Sequence, residues 1–204
     1  MELNTANAWQ QWYTQENKGI SHERIAEVRS IHFSFLNTIL AQNASVAIEI
    51  GVGTGTLGYS LMRLAEERAV DLEVIEIDYC FPFLQNANSF NGENKTFYIN
   101  GDTFALPFGS INREDRIVFH QGLLEHFSDA DILTMISEQL RVSGTVIATV
   151  PSNEYSFSQG LRGDERLMPI EDWSSIISNR FKIAGYYYGR VPGERYHICL
   201  KVTE

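Results

Sequence analysis

The sequence predicts an α/β domain built on a mostly parallel, doubly wound sheet of seven strands, with helices on both faces and an antiparallel hairpin at the C-terminus. Three observations predict it. Short apolar runs alternate with segments of helical periodicity, a glycine cluster follows the first run, and the last two β-rich segments are joined by a turn containing two glycines and a proline. A chain of 204 residues has room for one domain with a sizeable core. Its 44% apolar and 21% charged residues are an ordinary globular balance.

The elements follow in order. Residues 5–18 are polar with three aromatics and read as a short helix or an arm. Ser21 is placed to cap one longer helix, in which Ile25, Val28, Ile31, Phe35 and Ile39 form an apolar stripe. Residues 45–50 form a first strand ending in glycines, and 56–69 a helix through Leu57, Leu61, Leu64 and Ala65. A second strand spans 72–77, and Pro82 suits the first turn of the next helix. Strands at 96–99 and 116–119 come next. Ser128 then caps a helix through Ile132, Leu133, Ile136 and Leu140, with Asp129 and Asp131 near its positive end. A fifth strand, 145–150, stops at Pro151. A loop rich in Ser, Gly and Arg runs to Met168, and Pro169 opens the last helix. The hairpin strands are 181–188 and 196–202, joined by residues 189–193.

Charge and cysteines narrow the function. Sixteen basic against 26 acidic residues give a net charge of −10, so the chain is a poor tracker of phosphate backbones and no nucleic-acid partner is expected. A neutral or cationic ligand suits it better. Cys80 and Cys199 have no neighbouring cysteine, so no CxxC metal pair exists and no metal is expected. Residues 1–18 lack a basic start followed by an apolar run, and no apolar stretch approaches the ~20 residues of a membrane span. The expectation is a soluble, cytoplasmic protein without a membrane partner; oligomeric state is left open.

The segment from Glu49 to Gly58 reads EIGVGTGTLG and lies between the first strand and its helix. Gly51, Gly53 and Gly55 allow a tight turn and close approach of a ligand to the backbone. From Gly53 the string GTGTLG matches the dinucleotide fingerprint GxGxxG. From Glu49 it is acidic-x-Gly-x-Gly-x-Gly, which resembles the S-adenosylmethionine (SAM) loop of class I methyltransferases. A glycine-rich turn without a ligand is the third reading. Both ligand readings need an acid at the end of the second strand for ribose hydroxyls. Asp78 stands there, and Glu76 substitutes if the boundary shifts.

Three later segments separate the readings. Residues 100–108, NGDTFALPF, look like the methyltransferase GD…LPF segment. Residues 121–127, QGLLEHF, are similar to the LEH signature of the ubiquinone- and menaquinone-biosynthesis-type methyltransferases. Residues 140–151, LRVSGTVIATVP, resemble that family's LRPGG…VP turn and fifth strand, with one glycine fewer. A dinucleotide dehydrogenase calls for none of these. The resemblance spans residues 45–151 and implies a Rossmann-like class I fold, SAM as cofactor and S-adenosylhomocysteine (SAH) as product.

The resemblance also implies roles. Backbone at Gly51, Gly53 and Gly55 meets the methionine part of SAM, and Glu49 orients its ammonium. Asp78 accepts from the ribose, Asp102 with Thr103 frames the adenine, and Gln121 completes the cofactor set. Where the acceptor must lose a proton, His120 and His126 flank the fourth strand's end as candidate bases. Each has a structural alternative: His126 as a helix-start residue, His120 as a strand residue facing the core. The lack of Asn/Asp-Pro-Pro-Tyr after the fourth strand argues against adenine-N6 and glutamine-amide methylation, and the lack of Pro-Cys against cytosine-C5 chemistry. A small-molecule acceptor is expected, with O-, N- or C-methylation open.

The single domain would then divide into a helical lid (1–43), a cofactor core (44–151) and an acceptor loop, last helix and hairpin (152–204). The lid brings Trp9, Trp12 and Tyr13, and the loop brings Tyr155, Phe157 and Arg162, with Gly160 and Gly163 as hinges. The alternatives are a non-catalytic SAM-binding partner subunit and an NAD-type oxidoreductase.

Overall fold

Seven strands form one sheet in the order β3-β2-β1-β4-β5-β7-β6, as seen in a computed structural model that describes residues 8, 9, 11, 21–91, 96–155 and 165–204. The strands are β1 (Val46–Ile50), β2 (Glu73–Asp78), β3 (Thr96–Asn100), β4 (Arg116–Gln121), β5 (Thr145–Pro151), β6 (Lys182–Tyr188) and β7 (His197–Thr203). β3 to β5 across the sheet are parallel, whereas β7 pairs antiparallel with both β5 and β6. The expected mostly parallel sheet with a closing antiparallel hairpin is therefore present. Chain direction across the sheet reverses between β1 and β4, the switch point where such sheets bind ligands.

Among the described residues, the helices with defined bounds that flank the sheet are α1 (His22–Ile31), α2 (Phe33–Leu40), α3 (Thr56–Glu67), α4 (Phe81–Asn91), α5 (Asp129–Val142) and α6 (Ile170–Ser178). Ser21 caps α1 by accepting from the Arg24 N–H at 3.1 Å, and Ser128 caps α5 by accepting from Asp131. One face of the sheet packs Val28, Phe35, Leu36, Ile39, Leu57 and Leu61 from α1, α2 and α3. The opposite face packs Ile132, Met135 and Ile136 from α5 and Trp173 and Ile177 from α6. The β5 residues alternate between the two cores, Val146, Ala148 and Val150 on one side and Ile147 on the other.

The single helix expected from Ser21 onward is broken in two at His32. That residue leaves helical geometry (φ −96°, ψ 16°) and is buried, with Nδ1 2.7 Å from the Tyr188 hydroxyl. The same hydroxyl meets Thr149 Oγ1 at 2.7 Å, and the His197 ring stacks on Tyr188. This polar joint ties the α1–α2 corner to the hairpin, a connection apolar periodicity alone does not signal. Burial pushes His197 down to about 4 and His32 well below the usual imidazole range, so both rings are neutral at pH 7.

Pro151 does not stop β5 but is its last residue, paired with His197 on the antiparallel neighbour. Of the N-terminal arm, Trp9 is described, while Trp12 and Tyr13 lie outside the described residues, as do Phe157, Gly160, Arg162 and Gly163. Among the described residues no helix is long and apolar enough to cross a membrane.

Candidate functional site

The glycine cluster turns the chain from β1 into α3. Gly51, Gly53 and Gly55 have φ of 74°, 54° and 74°, a left-handed geometry that side-chain-bearing residues rarely adopt. The turn is held by the Gly51 N–H donating to the Ile77 carbonyl and Gly55 N–H to Val52. Nothing stands within 4 Å of where a Cβ on Gly53 would point, so its backbone is open to a ligand. Gly55 is the N-cap of α3 and does not line the cleft.

Glu49, the residue before the end of β1, is 2% exposed beneath the first turn of α3. The Gly58 N–H donates to its carboxylate, while Oε2 has no hydrogen-bond partner. Burial first, then the neighbouring Glu76, raises its carboxyl well above the usual range. Asp78 closes β2 and accepts from the Cys80 N–H at 2.8 Å and the Gly53 N–H at 3.4 Å. Burial pushes Asp78 up to about 6 against the lowering effect of those amides. It thus holds the glycine turn onto the second strand.

Asp102 is exposed and accepts from the Phe104 N–H at 2.9 Å, so one carboxylate oxygen closes its own turn. Beside it, Thr103 Oγ1 accepts from Gln139 Nε2 at 3.4 Å. Gln121 is the exposed last residue of β4. The LEH element is one turn of 3-10 helix, Leu124–His126, rather than the start of the following α-helix. His126 is half-buried, with the Trp9 ring edge-on at 4.9 Å.

These groups meet in one cleft of about 440 Å³ at the carboxyl ends of the central strands. It brings together Glu49, Gly51, Gly53, Asp78, Asp102, Thr103, Gln121 and His126 from the sequence-derived set, with Trp9 from the lid. His120 is outside it. The alternation of β4 turns His120, like Val118, toward α5, where it is fully buried beside Gln139 with no well-formed hydrogen bond to either ring nitrogen. That position takes it away from any acceptor in the cleft, and burial pushes it down to about 4. Arg24, Glu125, Phe127 and Glu165 also line the cleft; Glu125 and Phe127 belong to the LEH segment, whereas no sequence motif marks Arg24 or Glu165.

The described ends of the 152–168 loop, residues 152–155 and 165–168, are each held to the rest of the domain. Ser152 N–H donates to the Tyr196 carbonyl, and Tyr155 meets the His197 ring edge-on at 5.2 Å. On the far side the Arg166 N–H donates to Glu125 O, and its guanidinium to Phe127 O at 2.9 Å and Asp129 at 2.6 Å. A second, open groove of about 690 Å³ lies between α1 and the hairpin turn. Its two arginines are engaged, Arg29 with Glu67 and Arg190 with Glu27, and it holds none of the convergent acids of the cleft.

No family model and no curated protein matches the chain by sequence. Solved structures match by shape. Human N-acetylserotonin methyltransferase, solved with SAM, has a TM-score of 0.68 at 11% identity over 99% of this chain and 57% of that one. The Synechocystis magnesium protoporphyrin IX methyltransferase, also with bound SAM, has a TM-score of 0.62 at 14% identity over 99% and 93%. A small RNA methyltransferase has a TM-score of 0.65 at 15% identity over 91% of this chain and 26% of that one. This chain therefore spans just over half of the first and about a quarter of the third. The fold is that of the class I SAM-dependent methyltransferases, with a parallel core and antiparallel C-terminal strands.

Proposed function

We propose that the chain is a SAM-dependent methyltransferase acting on a small molecule. The observation that carries this reading is the convergence of Glu49, the glycine turn, Asp78 and the Asp102–Thr103 pair on one cleft at the switch point. The chemistry of that set suits SAM. A buried carboxylate oxygen without a partner matches an ammonium, an acid at the end of β2 matches ribose hydroxyls, and open glycine backbone matches a carboxylate. A cleft of about 440 Å³ is within the usual size range for such ligands. An NAD-type oxidoreductase is disfavoured because its sheet continues parallel beyond β5, whereas here β7 inserts antiparallel between β5 and β6.

When bound, SAM supplies a methyl group on a positively charged sulfur. The chain's own work is to orient, to exclude water and to move a proton. Glu49 and the turn amides hold the amino-acid end, Asp78 the ribose, Asp102 and Thr103 the adenine, and Gln121 the cleft edge at β4. Acceleration comes chiefly from holding acceptor and methyl in line in a dry site. Trp9 and Phe127 cover the side of the cleft where His126 stands. Of the two candidate histidines, His126 takes the general-base role, a ring nitrogen receiving the acceptor proton.

The acceptor side is read as the part of the cleft lined by Trp9 and Arg24 from residues 1–43 and Glu165 from residues 152–204, next to the 44–151 cofactor core. The net charge of −10, with Glu125 and Glu165 in the cleft wall, favours a small neutral or cationic acceptor over a nucleic acid. The LEH turn supports a ubiquinone- or menaquinone-biosynthesis-type relationship, and the cytoplasm is the expected compartment. Incubation with SAM and a panel of phenols, quinone precursors, amines and carboxylates, read by SAH formation, tests the reading. Acceptor-dependent SAH supports it. Tight SAM binding with no turnover and a copurifying methyltransferase hands the case to a non-catalytic subunit.

A further inference from the structure

Glu49 and Glu76 are register partners on the adjacent parallel strands β1 and β2, so their side chains leave the same face of the sheet. Both are buried, at 2% and 0% exposure. The first turn of α3 packs directly onto them: a Cβ on Gly58 would collide with Glu49 Oε2 and with Glu76 Oε1 alike. The two carboxyls therefore reach one point and lie within about 5 Å of each other, where like charges oppose each other's ionisation. A glycine inside a helix is unfavourable relative to alanine. Here that residue is what lets two acids sit under the helix. Glu49 alone of the pair borders the cleft, and its Oε2 lacks a partner.

We propose that Glu76 is the proton partner of Glu49: the two carboxyls share one proton in the free protein, and a ligand ammonium arriving at Glu49 expels that proton to solvent. The proposal rests on the SAM reading of the cleft. The O–H bond of one carboxyl breaks, its proton goes to water, and the cationic ligand replaces it as counter-charge. Glu76 acts through Glu49 and is a positioning residue. It would make cofactor affinity rise with pH and would reward ligands bearing an ammonium over those without one.

Other groups facing the pair bear on the pH range. Asp78 lies two residues along β2, Tyr98 is the register partner of Glu76 on β3, and Phe119 is that of Glu49 on β4. The buried positions of α3 carry no charge. Across the cleft stand Arg24, Glu125, His126 and Glu165. Asp78 titrates at about 6, so measurements between pH 7 and 8 lie above its range.

The test is calorimetry of SAH binding to the full chain at pH 7.5, in buffers of different ionisation enthalpy, with the pH dependence of Kd from 7 to 8. The expected result is release of more than about half a proton per SAH, with affinity rising by the matching power of pH, at most tenfold per unit. Methylthioadenosine, which keeps adenine, ribose and thioether but has no ammonium, is expected to bind with no proton release. In Glu76→Gln, SAH is expected to bind with clearly smaller proton release and a shallower pH dependence of Kd, because Glu49 keeps its burial but loses the like charge beside it. Proton-neutral binding of SAH to the unaltered chain overturns the proposal, as does equal release on binding methylthioadenosine or an undiminished slope in E76Q. The first two comparisons need no variant. Failure of SAH to bind at all would instead refute the SAM reading itself.

Discussion

Replacing His120 with leucine separates a core role from a catalytic one. The imidazole is fully buried against α5, and burial lowers its pKa from the ordinary 6.5 to about 4. The unfolded chain then binds a proton below pH 6.5 that the folded chain refuses. Stability is lost as pH falls through 6.5 toward 4, and the loss saturates below the folded value. A shift of this size corresponds to about 3 kcal/mol, of which about 2 kcal/mol falls between pH 7 and 4.5. Urea denaturation of His120→Leu at those two pH values should show that share of the acid loss removed, leaving the part owed to His197, which is likewise pushed to about 4. At pH 7 the variant should be no less stable than the parent, since an imidazole without well-formed hydrogen bonds leaves an apolar site. SAH affinity should stay within about threefold and turnover should persist, because His120 is outside the cleft and meets Thr103 through the intervening Gln139. An unchanged acid limb, or a folded variant without turnover, would refute this placement.

Four other outcomes follow from the same geometry. Asp78→Ala should weaken SAH by about 1–3 kcal/mol, the cost of a lost charged hydrogen bond, measured by calorimetry; unchanged affinity would remove Asp78 from the ribose role. His126→Gln should lower kcat by about a hundredfold or more while SAH affinity holds, and an unchanged kcat would leave acceptor deprotonation to solvent. Tyr188→Phe should cost about 2 kcal/mol in urea denaturation, because its hydroxyl serves His32 and Thr149 at once in a buried joint. Arg166→Ala should raise the acceptor KM severalfold by releasing the segment beside Glu165, with less than about 1 kcal/mol lost in stability because the pair to Asp129 is partly exposed.

Much of this architecture was legible from residue order. Strand and helix periods, the glycine turn and the hairpin connection point to the sheet that forms, because each reports a local requirement of the backbone. That Glu49, Asp78 and Asp102 meet at one cleft was legible too, Asp78 as an acid at a strand end and Glu49 and Asp102 through the segments that resemble methyltransferase motifs. The break at His32 was not, since Phe35 and Ile39 continue the apolar stripe and the cause is a hydrogen bond to Tyr188, 156 residues away. The direction of His120 was hidden because β4 is buried on both faces, which erases any outward alternation. Arg166 sat in a polar loop, and its anchoring of Phe127 and Asp129 exists only once the loop folds back. The pairing of Glu49 with Glu76 needed the strand register.

Hydrogen exchange of the backbone amides with and without saturating SAH addresses the cleft most directly. Protection should rise at residues 51–56, 79–80, 103–104 and 121–123, the turn and strand-end amides around the cleft, and stay unchanged in the α1–hairpin groove around Arg29 and Arg190. Protection confined to that groove, or none anywhere at saturating SAH, would contradict the assignment of the cleft as the SAM site.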